Sequence, residues 1–323
     1  MMNRLAVAAS LLAALIIGCD KGSESKQPAG AHKPLVVGFA QVGAESSWRT
    51  ANSESIKKEA AKRGIELKFV DAQQKQENQI KAIRSFIAQR VDVIVLSPVV
   101  ETGFEPVLRE AKQAGIPVVL SDRRADVSDE SLYTTFIGSD FVQEGRRAAE
   151  FLVKKMNQKA NIAELEGTPG SAPANDRKKG FDDVIKNYPD MKVLMSQTGD
   201  FTRAKGKEVM EAFLKSPEGK NINALFAHND DMALGAIQAI EEAGLRPGKD
   251  ITIVSIDGVK GAFEAMADGK LNCTVECNPL IGPQLFDLVE KVAAKQSVPH
   301  RVNVQESVYT EDQAKEMLPK RQY

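Results

Sequence analysis

From Leu35 onward the chain alternates short, near-continuous apolar runs with longer segments whose apolar residues recur at helical spacing. The run opening at Leu35, then 65–70, 91–96, 116–120 and 134–138, read as strands. Segments 48–63, 80–87 and 103–114 read as helices, the last stopped by Gly115. A second cycle starts near Gly138. It predicts helices at 141–157, 175–188, 203–215, 230–243, 260–268 and 281–295, and strands at 161–166, 192–197, 223–228, 251–256, 273–277 and 301–308. Runs that are apolar throughout, rather than alternating, belong to strands covered by helices on both faces, and helix-linked strands of this kind are parallel. The fold class is therefore α/β, in two successive βαβα halves. About 290 residues from Pro34 to Tyr323 exceed one ordinary core, so two domains are expected.

The residues before Pro34 read differently. Arg4 precedes the almost wholly apolar stretch Leu5–Ile17, which is too short to span a bilayer and matches a secretory signal. Leu15-Ile16-Ile17-Gly18-Cys19 resembles the lipobox of bacterial lipoproteins, which implies that residues 1–19 form a signal peptide ending at a lipidated Cys19. A plain secretory signal cleaved nearby has a similar outline. Several acyl chains would anchor the mature chain to the membrane where one alone binds marginally. Asp20 after the Cys resembles the retention signal of inner-membrane lipoproteins. Residues 20–33, rich in Lys, Gly, Ser, Gln and Ala without periodicity, read as a flexible tether.

Lys and Arg total 43 against 44 Asp and Glu, a net charge of −1, which gives no footing for nucleic acid. After Cys19 only Cys273 and Cys277 remain. Four positions apart on a strand, they stand too far from each other for a disulfide and are expected as free, buried thiols.

Polar residues gather at the carboxyl ends of the strands, where open α/β sheets bind ligands. Glu45, Ser46, Trp48 and Arg49 follow the first strand. Asp122 and Arg123 follow 116–120. Arg177 opens a helix after the loop 167–173, Asn229 and Asp230 follow 223–228, and Asp257 follows 251–256. If two domains face each other along these edges, the groups converge in one cleft. Carboxylates accept from hydroxyls, guanidinium groups donate through a planar fork, and an indole offers an apolar face, which together suit a sugar. Trp48 is also readable as a first-turn core residue. Taken singly, Asp140, Asn229, Asp230 and Asp257 are readable as helix caps. Arg124 and Arg203 are expected on solvated faces, and His228 in a structural or supporting place. No phosphate-binding glycine loop, nucleophile elbow or zinc spacing is present, so neither cofactor nor metal is implied.

Several motifs in order carry a family resemblance: Ile116-Pro117-Val118-Val119 running into Asp122-Arg123, Asp176-Arg177-Lys178-Lys179-Gly180-Phe181, Ala227-His228-Asn229-Asp230-Asp231-Met232-Ala233-Leu234-Gly235-Ala236 and Ile256-Asp257-Gly258. With these the chain from Pro34 to Tyr323 resembles the type I periplasmic sugar-binding proteins of ABC importers, in the ribose-binding group. Glu45-Ser46-Ser47-Trp48-Arg49, Gln73–Gln79 and Gly199-Asp200-Phe201-Thr202-Arg203 look like the galactofuranose-binding branch of that group.

The resemblance implies two Rossmann-like lobes with parallel sheets, joined by a three-stranded hinge. Residues 34–138 and 278–304 would form the N-terminal lobe, and 139–277 with 305–323 the C-terminal lobe. It implies that Trp48 stacks on a monosaccharide while Glu45, Ser46, Arg49, Asp122 and Arg123 bind it from one lobe and Arg177, Asn229 and Asp257 from the other. The ribose binders carry Gln where this chain has Cys277 followed by Asn278, which leaves that contact open. The implied function is not enzymatic. A monomer on the periplasmic side, held by its lipid anchor, closes on the sugar and delivers it to an ABC permease and its ATPase. A lipoprotein presenting sugar to a chemoreceptor or kinase, and a glycoside-processing enzyme built on Glu45, Asp122 and Asp257, are the alternatives.

Overall fold

The computed structural model describes residues 33–323. The expected signal peptide 1–19, the expected lipidation of Cys19 and the expected tether up to residue 32 lie outside the described residues. Among those described, no helix is long and apolar enough to cross a membrane.

The strands are β1 (Val36–Gln41), β2 (Glu66–Asp71), β3 (Val93–Leu96), β4 (Val118–Ser121), β5 (Thr135–Gly138), β6 (Ala160–Glu166), β7 (Met191–Thr198), β8 (Ala224–Ala227), β9 (Thr252–Asp257), β10 (Cys273–Glu276), β11 (Arg301–Asn303) and β12 (Val308–Thr310). The helices are α1 (Ser47–Lys62), α2 (Gln76–Ala88), α3 (Glu105–Gln113), α4 (Phe141–Lys155), α5 (Ala172–Ile185), α6 (Arg203–Lys215), α7 (Asp230–Glu242), α8 (Lys260–Ala267), α9 (Gly282–Ala293) and α10 (Ala314–Met317). They build two lobes around two six-stranded sheets, ordered β11-β5-β4-β3-β1-β2 and β12-β10-β9-β8-β6-β7. Every pairing is parallel except β12 against β10.

Burial explains the composition of each strand. β1, β3, β4 and β5 are buried at every position and apolar almost throughout, whereas the edge strands β2 and β7 are half-exposed and mix Glu, Lys, Ser and Gln with apolar residues. On one face of the first sheet Ile56 of α1 and Phe286 and Val289 of α9 cover Val37, Phe39 and Val95. On the other, Ile83 and Phe86 of α2 and Leu108 of α3 cover Ala40, Ile94 and Leu96. Burying side chains of this size on both faces stabilises by roughly 1.5–3 kcal/mol each.

The chain passes from the first sheet to the second between Gly138 and Phe141, returns between Glu276 and Gly282, and passes again between Asn303 and Val308. The single strand expected over 301–308 is therefore two. β11 pairs with β5 in one lobe and β12 with β10 in the other. At the break Glu306 turns its carboxyl onto Ser139 and the Asn278 amide, which the other two crossings supply, instead of continuing a ladder.

Candidate functional site

The strand order reverses beside the first strand of each lobe, between β1 and β3 in one and between β6 and β8 in the other. Crevices outside the carboxyl ends of such strands are where α/β sheets take ligands, and here the two lobes bring those edges together around one small cavity of about 20 Å³.

In the first lobe, the loop after β1 ends in Ser46, whose hydroxyl caps α1 by accepting from the Arg49 amide at 3.1 Å. The cap points the first turn of α1, with Trp48 and Arg49, at the cavity. Trp48 is only 5 % exposed, and its Nε1 donates to the Cys277 carbonyl at 2.6 Å. Trp48 is buried, and what it is buried against includes the cavity.

Arg49 ties the charged set together. It reaches Asp122 Oδ2 at 2.7 Å, Glu45 Oε1 at 3.1 Å and Gln41 Oε1 at 3.2 Å, and its guanidinium lies 4.6 Å from the Trp48 ring centre. Burial lowers the pKa of Arg49, and Asp122 and Glu45 more than offset that, so the net shift is upward. Arg123 is placed oppositely. Burial, then the repulsion of Arg49, pulls it down to about 10 against the partial support of Glu45 and Asp122. Asp122 holds a left-handed backbone (φ 65°), a conformation Asp tolerates better than most residues.

In the second lobe, Arg177 of α5 donates through Nε to Glu144 at 2.7 Å and through Nη1 to the His228 carbonyl at 2.6 Å, with Asp257 Oδ1 3.7 Å from Nη2. Its pKa is raised despite burial, because Glu144, Cys277 and Asp257 surround it. Burial raises Asp257 well above the ordinary range, Arg177 opposing and Asp230 and Glu144 adding to the shift. Asn229 is the N-cap of α7, accepting from the Met232 amide at 3.0 Å, and its Nδ2 donates to the Phe201 carbonyl at 3.0 Å.

All nine residues expected at the site, Glu45, Ser46, Trp48, Arg49, Asp122, Arg123, Arg177, Asn229 and Asp257, line this cavity. Phe141, Pro173, Phe201 and Cys277 complete the lining. Phe201 follows β7 and faces Arg123 and Arg177, whose guanidinium carbons lie 5.4 and 5.8 Å from its ring centre. Gly167 makes room for it: a Cβ there would sit 1.9 Å from the ring. A search for polar groups at strand ends passes over apolar walls, so the signal for Phe201 was its place directly after the Gly199-Asp200 turn.

The helix-cap readings divide. Asp140 caps α4, accepting from Gln143, and Asn229 caps α7. Asp257 caps nothing, since Val259 stands at the start of α8. Asp230 accepts from Thr274 Oγ1, Ser255 Oγ and the Val259 amide, bracing the turn that carries Asp257. Burial raises it to about 6. His228 is wholly buried between Glu164 and the Gly167 amide.

Arg124 and Arg203 are not simply solvated. Arg124 spans the lobes to Asp176 while pairing with Glu101, and Arg203 holds Asp231 at 2.8 Å. Asp231 in turn accepts from the Ser47 amide of the other lobe at 2.6 Å, and the Glu101 amide donates to the Gly170 carbonyl at 2.9 Å. The lobes are thus closed on each other at both rims. Cys273 and Cys277 are free and buried. Glu144, Cys277 and Glu306 approach within 4.8 Å of one another. Arg177 already supplies the positive charge that Glu144 takes, so the group reads as a compensated hinge cluster.

The periplasmic binding protein domain family matches residues 37–297. This chain belongs to that family. It is 55 % identical over 291 residues to the galactofuranose-binding protein YtfQ of Escherichia coli (strain K12), covering 89 % of this chain and 92 % of the relative. It is 55 % identical, with a TM-score of 0.86, to the periplasmic binding protein component of the arabinose ABC transporter from Shewanella sp. ANA-3 bound to α- and β-L-arabinofuranose, over 89 % of this chain and 95 % of that one. A Mycobacterium smegmatis structure in complex with β-D-fucofuranose matches with a TM-score of 0.87 and 56 % identity, over 90 % of this periplasmic binding protein and 95 % of the other chain.

Proposed function

We propose that this chain is the sugar-capturing component of an ABC importer. It takes one neutral furanose-ring monosaccharide between its lobes and delivers it, in the closed form, to a membrane permease. The observation that carries this is a buried acceptor and a buried donor left open in the cavity wall. Three guanidinium groups (Arg49, Arg123, Arg177) and three carboxyl groups (Glu45, Asp122 and the burial-raised Asp257) line the cavity, donors and acceptors of the kind hydroxyls pair with. Meanwhile Glu45 Oε2 and Arg123 Nε are buried without a partner. An acceptor and a donor left open in a closed site cost roughly 1–3 kcal/mol each unless a ligand hydroxyl completes them. Trp48 and Phe201 supply the apolar walls that the C–H faces of a sugar need.

The furanose form is favoured by the sugars named for the relatives, which are galactofuranose, arabinofuranose and fucofuranose. The nine residues above act as the ligand contacts. The sugar draws the lobes together because it touches both at once, so it binds the closed form better than the open one. No bond is made or broken. Cys19 carries the lipid anchor, and the protein works as a monomer on the periplasmic side.

Carbon-13 NMR of D-galactose labelled at C1 tests the ring form. The bound anomeric signal is expected in the furanose range although the free sugar is mainly pyranose, and a bound pyranose signal overturns it. Release of nitrophenolate from an aryl galactofuranoside would overturn the non-enzymatic reading. A C19A variant that stays with the membrane fraction would overturn the anchor.

A further inference from the structure

The three stretches that pass between the lobes meet at one point outside the sugar contacts. Ser139 lies on the first, Cys277 and Asn278 on the second, and Glu306 on the third. Ser139 Oγ donates to Glu306 Oε1, and the same oxygen accepts from the Asn278 amide at 3.4 Å. Ser139 Oγ also stands 3.4 Å from Cys277 Sγ. One residue back along the second stretch, the Cys277 carbonyl holds the Trp48 indole N–H. Glu306 does not itself line the cavity. Resting on the sugar-binding reading above, we propose that Glu306 is a positioning residue for the site. It ties the three crossings into one knot and, through the Cys277–Asn278 peptide, fixes the plane of Trp48.

The surroundings decide the state in which Glu306 does this. Glu144 faces it from the first turn of α4, Cys277 from the second crossing, Arg177 from α5 and Arg301 from β11. Arg177 is already bound to Glu144 at 2.7 Å, and Arg301 donates to the Gly138 and Ser139 carbonyls at 3.1 and 2.7 Å. Two carboxyl groups and a thiol in one largely enclosed cluster, with both nearby cations committed elsewhere, cannot all ionise. Burial, then the charge of Glu144, pushes Glu306 up to about 9, with Ser139, Asn278 and Arg177 opposing. Glu306 therefore holds the hinge as a neutral acid. Its ionisation would place a second negative charge against Glu144 and drive the crossings apart.

The test uses the purified full-length protein and its E306Q and E306A variants, with two readouts between about pH 6 and about pH 10. One is Trp48 emission without sugar. The other is the dissociation constant for L-arabinose. Wild-type emission is expected to shift with a midpoint near 9, and affinity to fall about tenfold across that midpoint. E306Q keeps a neutral, hydrogen-bonding group, so it should bind within about twofold of wild type at neutral pH and show neither transition. E306A should bind about tenfold more weakly at every pH while keeping its far-UV circular dichroism. An alkaline emission shift that is absent from wild type, or identical in E306Q, overturns the proposal, as does E306A binding like wild type. If neither wild type nor variants bind L-arabinose, that sugar is not the guest, and the sugar-free emission still decides the role of Glu306.

Discussion

Trp48 is gripped from two sides, by the Cys277 carbonyl on its N–H and by the Arg49 guanidinium against its ring. Trp48→Phe keeps an aromatic face and loses the donor, so calorimetry should read about a tenfold weaker sugar affinity. That is roughly the 1.4 kcal/mol of one hydrogen bond. Trp48→Ala should cost about a hundredfold or more. Asp122 and Asn229 differ in kind. Asp122→Asn leaves Arg49 and Arg123 facing Glu45 alone, so both affinity and melting temperature should fall, because half of a buried ion pair is missing. Asn229→Ala removes the α7 cap and the grip on Phe201 together, and chemical denaturation should read a loss of about 1–2 kcal/mol besides the loss of binding. The residue types and their places at strand ends were readable in the sequence. The coupling of Arg49 to Glu45 and Asp122 was not, because Asp122 comes from another strand and only folding brings it within 2.7 Å.

Among the elements, α1 is completed by the opposite lobe. Ser46 caps it from within, and Asp231 of α7 accepts from the Ser47 amide at its first position. A carboxylate at a helix N-terminus contributes about 0.5–1 kcal/mol, and this one does so only while the lobes are together. Asp231→Ala should therefore raise the sugar dissociation rate about fivefold with little change in the association rate, as read by stopped-flow emission of Trp48. An equal fall in the association rate would mean that Asp231 shapes the open form instead. α4 and α5 set Arg177 by close approach: a Cβ at Gly145 would meet the Arg177 carbonyl at 2.0 Å. Helix and strand positions followed from apolar spacing almost everywhere, since buried elements carry a strong period. They failed at 301–308, where a short polar run is pulled into two sheets by partners distant in sequence, β5 and Ser139 on one side and β10 on the other.

For the whole molecule, the buried acids set a pH dependence. Glu306, raised to about 9, and Asp230, raised to about 6, are protonated in the fold at pH values where the unfolded chain has already ionised them. The unfolded state then binds fewer protons, so stability falls as pH rises. The contribution of Glu306 is complete below its unfolded pKa, is lost progressively as pH climbs toward 9, and is gone above it. Calorimetric melting should show wild type losing ground to E306Q across that window, and parallel curves for the two would refute the assignment. The sequence by itself determined the α/β class, the two cycles, the sugar-suited residue types and the edge of each sheet on which they stand, because these depend on local period and on chain direction. Tertiary structure alone decided that the two edges face each other around one cavity, that Phe201 walls it and that Arg124 and Asp231 close its rims. It also decided that three distant stretches knot at Glu306. Each of these depends on which surfaces the crossings press together, and no local pattern carries that distance.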